Sequence, residues 1–140
     1  MLFSGVTLEK LNAFTKGNMC EYLGIEFTEI GDDYVVAKMP VDHRTVQPMG
    51  ILHGGASVAL AESIGSLAGN FAVDSTKQAC VGLDINANHL RKVVSGSVVY
   101  GKATPIHIGR TTQVWEIKIT NEKQELVCIS RLTLAVINIK

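Results

Sequence analysis

The clearest pattern in the chain lies at 111–120, where Trp115, Ile117 and Ile119 alternate with Glu116, Lys118 and Thr120. Alternation with a period of two marks a strand with one buried face. Strand-like stretches also cover 78–90, 97–106 and 125–139, with Asn121-Glu122-Lys123-Gln124 as the turn into the last of them. Upstream, 25–30 and 34–39 flank Gly31-Asp32-Asp33 and read as a hairpin whose second strand stops at Pro40. Thr7 is placed to cap a short helix running to about Phe14, with Leu8 and Leu11 on one face. A further short turn at 19–23 ends at Gly24, and 41–52 is a connection broken by Pro48 and Gly50. The only long helix expected runs from Gly54 to about Val73. Closely connected strands around one helix predict an α+β architecture with an antiparallel sheet, not a series of βαβ units.

That helix is unusual in composition. Between Met49 and Val73 only His53 and Glu62 titrate near neutral pH, and nearly everything else is small or apolar. A helix without a polar face is buried on every side. Its small residues let a sheet, or a second backbone, come close. A membrane span is the competing reading, since 54–71 is long enough. Glu62 at its centre argues against insertion, at a cost of roughly 2.5–3.5 kcal/mol. Gly, Ser and Asn also dilute the Leu, Ile and Phe that insertion needs.

Composition narrows the function classes. A length of 140 residues fits one domain, 1–140. With 46% hydrophobic and 19% charged residues, disorder is excluded. Thirteen basic residues balance thirteen acidic ones, so no broad footprint for nucleic acid or an anionic membrane is expected. Cys20, Cys80 and Cys128 are scattered, which speaks against a disulfide framework or a zinc site and for core filling. The four histidines show no metal-ligand spacing, so no metal is expected, and no GxSxG elbow is present. Asp42-His43 reads as a loop pair rather than a catalytic dyad. The N-terminal residues lack a basic stretch followed by an apolar run, so a cytoplasmic protein is expected.

Glu62 has no Lys or Arg within a helical turn, and Ser66 at i+4 can donate to it. A structural carboxylate is one reading; a nucleophile or general base is the other. His53-Gly54-Gly55 at the helix start either provides a simple glycine-rich entry or offers N–H groups to a developing oxyanion. His53 and Glu62 are nine residues apart, about 13.5 Å along a helix axis. If both act on one carbonyl, two antiparallel copies of the helix must lie side by side, which requires a homodimer with two shared sites.

The run from Gln47 through His53-Gly54-Gly55 to Glu62 and Ser66 resembles the active-site segment of hotdog-fold acyl-CoA thioesterases. The match is to the subgroup with a catalytic Glu on the central helix. Met39-Pro40-Val41-Asp42, 81–89 and Ser130-Arg131-Leu132 extend the likeness over nearly the whole chain. The resemblance implies a long helix wrapped by a curved antiparallel sheet, in homodimers commonly paired into homotetramers. It implies Glu62 as nucleophile or general base and the Gly54 N–H as the group polarising the thioester. His53 and Gln47 would support that end, and Ser66 would orient Glu62 or water. It also implies no cofactor, since CoA is part of the substrate. His89 and Arg91, with Lys92 following, are either solvated charges at a strand end or the groups near the CoA phosphates; His107 and Gly109 form a turn able to face the ligand. Gly82 leaves room for the pantetheine arm. Leu67, Phe71 and Val73 are candidates for the acyl pocket. The likeness is greatest to the menaquinone-pathway type, so an aromatic acyl-CoA, 1,4-dihydroxy-2-naphthoyl-CoA in particular, is the expected substrate. Medium-chain acyl-CoA hydrolysis, proofreading of aryl carrier proteins, a hotdog hydratase and a non-catalytic acyl-CoA-binding module remain as alternatives.

Overall fold

In chain order the elements are α1 (Leu8–Ala13), α2 (Met19–Tyr22), β1 (Glu26–Ile30), β2 (Val35–Val41), α3 (Gly54–Phe71), β3 (Gln78–His89), β4 (Ser97–Ile108), β5 (Thr112–Thr120) and β6 (Leu126–Asn138). The structure is a computed structural model and describes residues 2–139; the ends of the expected domain, Met1 and Lys140, lie outside the described residues. The six strands form one sheet in the order β1-β2-β4-β5-β6-β3, with every neighbouring pair antiparallel. Helix α3 lies across the inner face and packs against β2 to β6, while α1 rests on β1. This is the expected α+β arrangement.

Side-chain alternation sets which face is buried. Along β5, Gln113, Trp115, Ile117 and Ile119 are fully buried, and Lys118 between them is exposed. On β2, Val35, Ala37, Met39 and Val41 point inward in the same rhythm. From α3, Leu60, Ala61, Ile64 and Ala68 complete the core. Two glycines on α3 make this packing possible. A Cβ on Gly65 would stand 2.6 Å from Leu132 Cδ2, and one on Gly69 would collide with Leu134 Cδ1 and stand 2.7 Å from Gln113 Oε1. The helix axis is therefore closer to the sheet than larger residues allow. Gln113 is buried without penalty because its Oε1 accepts from Trp115 Nε1 at 2.8 Å and its amide donates to the Gly69 carbonyl at 3.5 Å.

Several boundaries differ from expectation by one or two residues, β4 running to Ile108, and two of them have a clear physical reason. Strand β2 does not stop at Pro40 but continues to Val41, with Pro40 opposite Val98. The reason is one of direction. The Pro40 carbonyl accepts from Thr45 Oγ1 at 2.8 Å, so this residue's backbone groups face away from β4. The ladder with β1 begins only at Lys38. Proline's missing N–H thus costs no sheet hydrogen bond. Helix α3 ends at Phe71 rather than Val73, because Asp74 opens a turn in which its carboxylate accepts from the Thr76 N–H and hydroxyl.

The close approach at Gly69 yields a direct expectation. Gly69→Ala should destabilise the fold by about 1–3 kcal/mol through overpacking. Urea unfolding should show a lower midpoint at unchanged slope; an unchanged midpoint contradicts the packing described.

Candidate active site

The loop before α3 is held by one ion pair. The Asp42 carboxylate accepts from Arg44 N, Nε and Nη2 at 3.0, 3.1 and 2.7 Å, and Arg44 Nη1 donates to the Tyr22 carbonyl at 3.1 Å. His43 points away, 87% exposed with Nδ1 4.0 Å from Asp42, so the two form a loop pair as expected. Further on, the His53 N–H donates to the Thr45 carbonyl at 2.8 Å, tying the helix entry to the loop. The Gln47 side-chain oxygen accepts from the Met49 N–H. Gln47 lines a cavity of about 400 Å³ together with Gly54, Ser57, His89, Arg91 and Lys92.

His53 is the N-cap of α3: its Nδ1 accepts from the Gly55 N–H at 2.7 Å. That bond assigns the imidazole proton to Nε2. Among the described residues the Gly54 N–H has no hydrogen-bond partner. It stands at the positive end of the helix macrodipole, where an anion or polarised carbonyl is stabilised. His89 closes over the same point, since a Cβ on Gly54 would lie 2.8 Å from His89 Nε2. His89 is the last residue of β3, so the strand end and the helix start meet here.

Glu62 is half-buried and has no cation in ion-pair range among the described residues. Its carboxylate rests against Gly82 of β3, where an added Cβ would stand 2.7 Å from Oε2. Gly82, expected beside a pantetheine arm, therefore lies beside the carboxylate. Among the described residues no hydrogen bond joins the Ser66 hydroxyl to Glu62; the Ser66 carbonyl instead accepts from Asn70 Nδ2. The structure brings Gln47, Gly54, His89, Arg91 and Lys92 together, with His53 capping beside them, and keeps Glu62 nine residues further along the helix. Arg91 also pairs with Glu125 at 3.5 Å. His107 and Gly109 do not line this cavity: the His107 ring folds over its own turn, closed by the Gly109 N–H to the Thr112 carbonyl at 2.8 Å.

Sequence reasoning missed Ser57 and Asn70. Ser57 gives no signal beyond its place one turn into the helix. Asn70 does give one, as a poor helix former on an otherwise apolar helix. Among the described residues no group of three metal-ligating side chains is found, and no helix is long and apolar enough to cross a membrane.

The loop's ion pair predicts a pH signature. The hydrogen bonds from Arg44 lower the Asp42 carboxyl from its ordinary 3.8 to about 2. A lowered folded-state value stabilises the protein above pH 3.8, and that contribution is lost as pH falls through about 2. Arg44→Ala should therefore be less stable than the parent at neutral pH, with the gap narrowing across that window in acid melts. A gap independent of pH rules out this role.

Comparison with known proteins places these features in a family. The model of the Thioesterase superfamily matches residues 49–128, more than half of the chain. The 1,4-dihydroxy-2-naphthoyl-CoA hydrolase of Escherichia coli K12 is 54% identical over 132 residues, covering 94% of this chain and 96% of that protein. The proofreading thioesterase EntH of Cronobacter turicensis is 51% identical over 131 residues, covering 94% of each. Among solved structures, a mutant of thioesterase PA1618 from Pseudomonas aeruginosa superposes with a TM-score of 0.96 at 47% identity, covering 99% of this chain and 100% of that one. Thioesterase HI1161 from Haemophilus influenzae gives 0.94 at 55%, covering 99% and 96%. Sequence and backbone agree over nearly the full length, and the chain belongs to the thioesterase superfamily, as an enzyme of the hotdog fold that hydrolyses thioesters.

Proposed function

We propose that the chain hydrolyses the thioester of an aromatic acyl-CoA to the free acid and CoA, with 1,4-dihydroxy-2-naphthoyl-CoA as the leading candidate. The observation that carries this reading is the unpartnered Gly54 N–H, set at the mouth of a cavity between Gln47 and His89. The name of the Escherichia coli relative supports an aromatic acyl-CoA substrate, and that of the Cronobacter relative supports thioester hydrolysis. A second cavity of about 530 Å³ supports the place of the acyl group: Leu67, Phe71 and Val73 line it, with Phe14 edge-on to Phe71 at 5.4 Å. Arg91, Lys92 and His89 are the groups we assign to the CoA phosphates. His107 and Gly109, on a turn outside that cavity, are assigned to the same ligand.

In this reading the Gly54 N–H polarises the thioester carbonyl, with His53 and Gln47 holding its surroundings. Glu62 supplies the oxygen nucleophile or removes a proton from water. In the first route a Glu62 oxygen bonds to the acyl carbon and the C–S bond breaks. CoA leaves as a thiolate and takes a proton, and water then cleaves the mixed anhydride to release acid and free Glu62. In the second, Glu62 takes a proton as the water oxygen attacks, and returns it to the departing sulfur. Ser66 is assigned to hold the water in either route. No cofactor or metal enters.

Glu62 and the Gly54 N–H of one chain are too far apart to share a carbonyl, so the proposal includes a homodimer with antiparallel α3 helices, paired further into a homotetramer. The free edge of β3 supports this, since it is twelve residues long and exposes Val81 and Leu83 at 45% and 61%. A cytoplasmic site of action accompanies the CoA substrate.

The test is thiol release across a panel of aromatic and aliphatic acyl-CoA and acyl-carrier thioesters. Aromatic acyl-CoA should give the highest kcat/KM, and Glu62→Gln should lose roughly two to four orders of magnitude in kcat while still binding substrate. Equal rates on all thioesters, or full activity in that variant, overturn the reading. Gly82→Ala should fold normally, because the displaced atom is the mobile end of Glu62. It should nevertheless lose roughly tenfold or more in kcat as the carboxylate is pushed aside.

A further inference from the structure

We infer that Asn70 is a positioning residue: its carboxamide pins β3 to α3 so that Gly82 presents a fixed surface to the Glu62 carboxylate. The inference rests on the assignment of the chemistry to Glu62. Asn70 lies in the last turn of α3, and its side chain makes three hydrogen bonds. Its Oδ1 accepts from the Cys80 N–H at 2.8 Å, and its Nδ2 donates to the Cys80 carbonyl at 3.1 Å and to the Ser66 carbonyl at 2.8 Å. The amide thus pairs with both backbone groups of Cys80 as a neighbouring strand does, while holding the helical turn that follows Glu62.

The place of the pin follows from the topology. Within one chain β3 is the last strand of the sheet, with β6 on one side of it. Its register with β6 shifts between Gly82 and Asp84, so the ladder is interrupted right after the residue that touches Glu62. The segment leading into Gly82 is paired in register with β6 from Gln78 onward, and Asn70 holds that same segment from the helix side at Cys80, two residues before the irregularity. Burial strengthens the clamp, because Cys80 is 6% exposed and its Sγ donates to the Gly69 carbonyl at 3.4 Å. Asn is a poorer helix former than Ala, and its three backbone hydrogen bonds explain its place in the last turn of this helix.

The carboxamide does not contact the reacting atoms, so its effect must pass through Glu62. The experiment uses the full-length enzyme and benzoyl-CoA, with kcat and KM measured well below the melting temperature. Asn70→Ala, Asn70→Asp, Glu62→Gln and the Glu62→Gln/Asn70→Ala double variant are compared, with thermal melts to establish folding. Asn70→Ala should lower kcat by roughly tenfold to a hundredfold with KM within about twofold, as expected for a small misplacement of a reacting group. Asn70→Asp keeps an acceptor for the Cys80 N–H and should recover part of the loss. The double variant should match Glu62→Gln, because a residue acting through Glu62 has nothing left to position. A further drop in the double variant equal to that in Asn70→Ala, or a lowered melting point with kcat unchanged, assigns Asn70 to general stability and overturns the inference. Failure of both Asn70 variants to fold does the same. Full activity in Glu62→Gln instead overturns the assignment of Glu62 itself, and the inference with it.

Discussion

The close contact between α3 and the inner face of the sheet is the constraint on which the rest depends. It is made where the helix has no side chains, at Gly65 and Gly69, with Leu132 and Leu134 of β6 filling the space that Cβ atoms would occupy. A helix this rich in glycine is weak on its own. It persists because Leu60, Ala61, Ile64 and Ala68 are buried against the inner face of the sheet. The buried Gln113–Trp115 hydrogen bond locks the C-terminal half of the contact, joining a sheet side chain to the Gly69 carbonyl. The helix thus becomes an axis along which Gly54 and Glu62 are placed, while the loop before it brings Gln47 and the end of β3 brings His89 to its start.

Along that axis two chemical environments are kept apart. The N-terminal end sets the unpartnered Gly54 N–H among the cationic side chains Arg91 and Lys92 around the cavity that Gln47 and His89 also line. The middle carries one carboxylate without a cationic partner. A thioester needs both, a donor for its oxygen and an oxygen nucleophile for its carbon. The separation of the two within one chain makes a second copy part of the proposed chemistry. Strand β3 runs alongside the whole helix, from Cys80 at its C-terminal half to His89 at its start. Its free edge is where such a copy has backbone groups to meet.

Other polar groups serve the framework. Asp42 and Arg44 hold the loop that delivers Gln47, and Pro40 sits in a strand at the one place where a missing N–H has no partner to lose. Cys80 and Cys128 are buried among apolar neighbours, which raises their thiols above the ordinary range and leaves them protonated at neutral pH. Cys20 is half-buried, and none of the three is paired. Their role as core filling follows from volume and position.

Local patterning was enough to read most elements, because alternation in β5 and the apolar composition of α3 are one-dimensional records of burial. The segment from Gln47 to Ser66 likewise carries its chemistry in linear order: a capping histidine, exposed glycines and an isolated acid. Other features were not legible, since each depends on residues distant in sequence. Gly82 meets Glu62 because β3 returns antiparallel to α3; Asn70 reads as a flaw in a helix until Cys80 lies beside it; and no spacing announces that the His107 ring folds onto Gly109. Pro40 looks like a strand stop until its carbonyl is seen facing Thr45. The sequence by itself determined which segments are buried and which side chains can do chemistry, since both are properties of residue type and spacing. Only the tertiary structure decided which of those side chains meet, because direction at a strand edge and distance across a helix–sheet interface are set by packing between segments far apart in the chain.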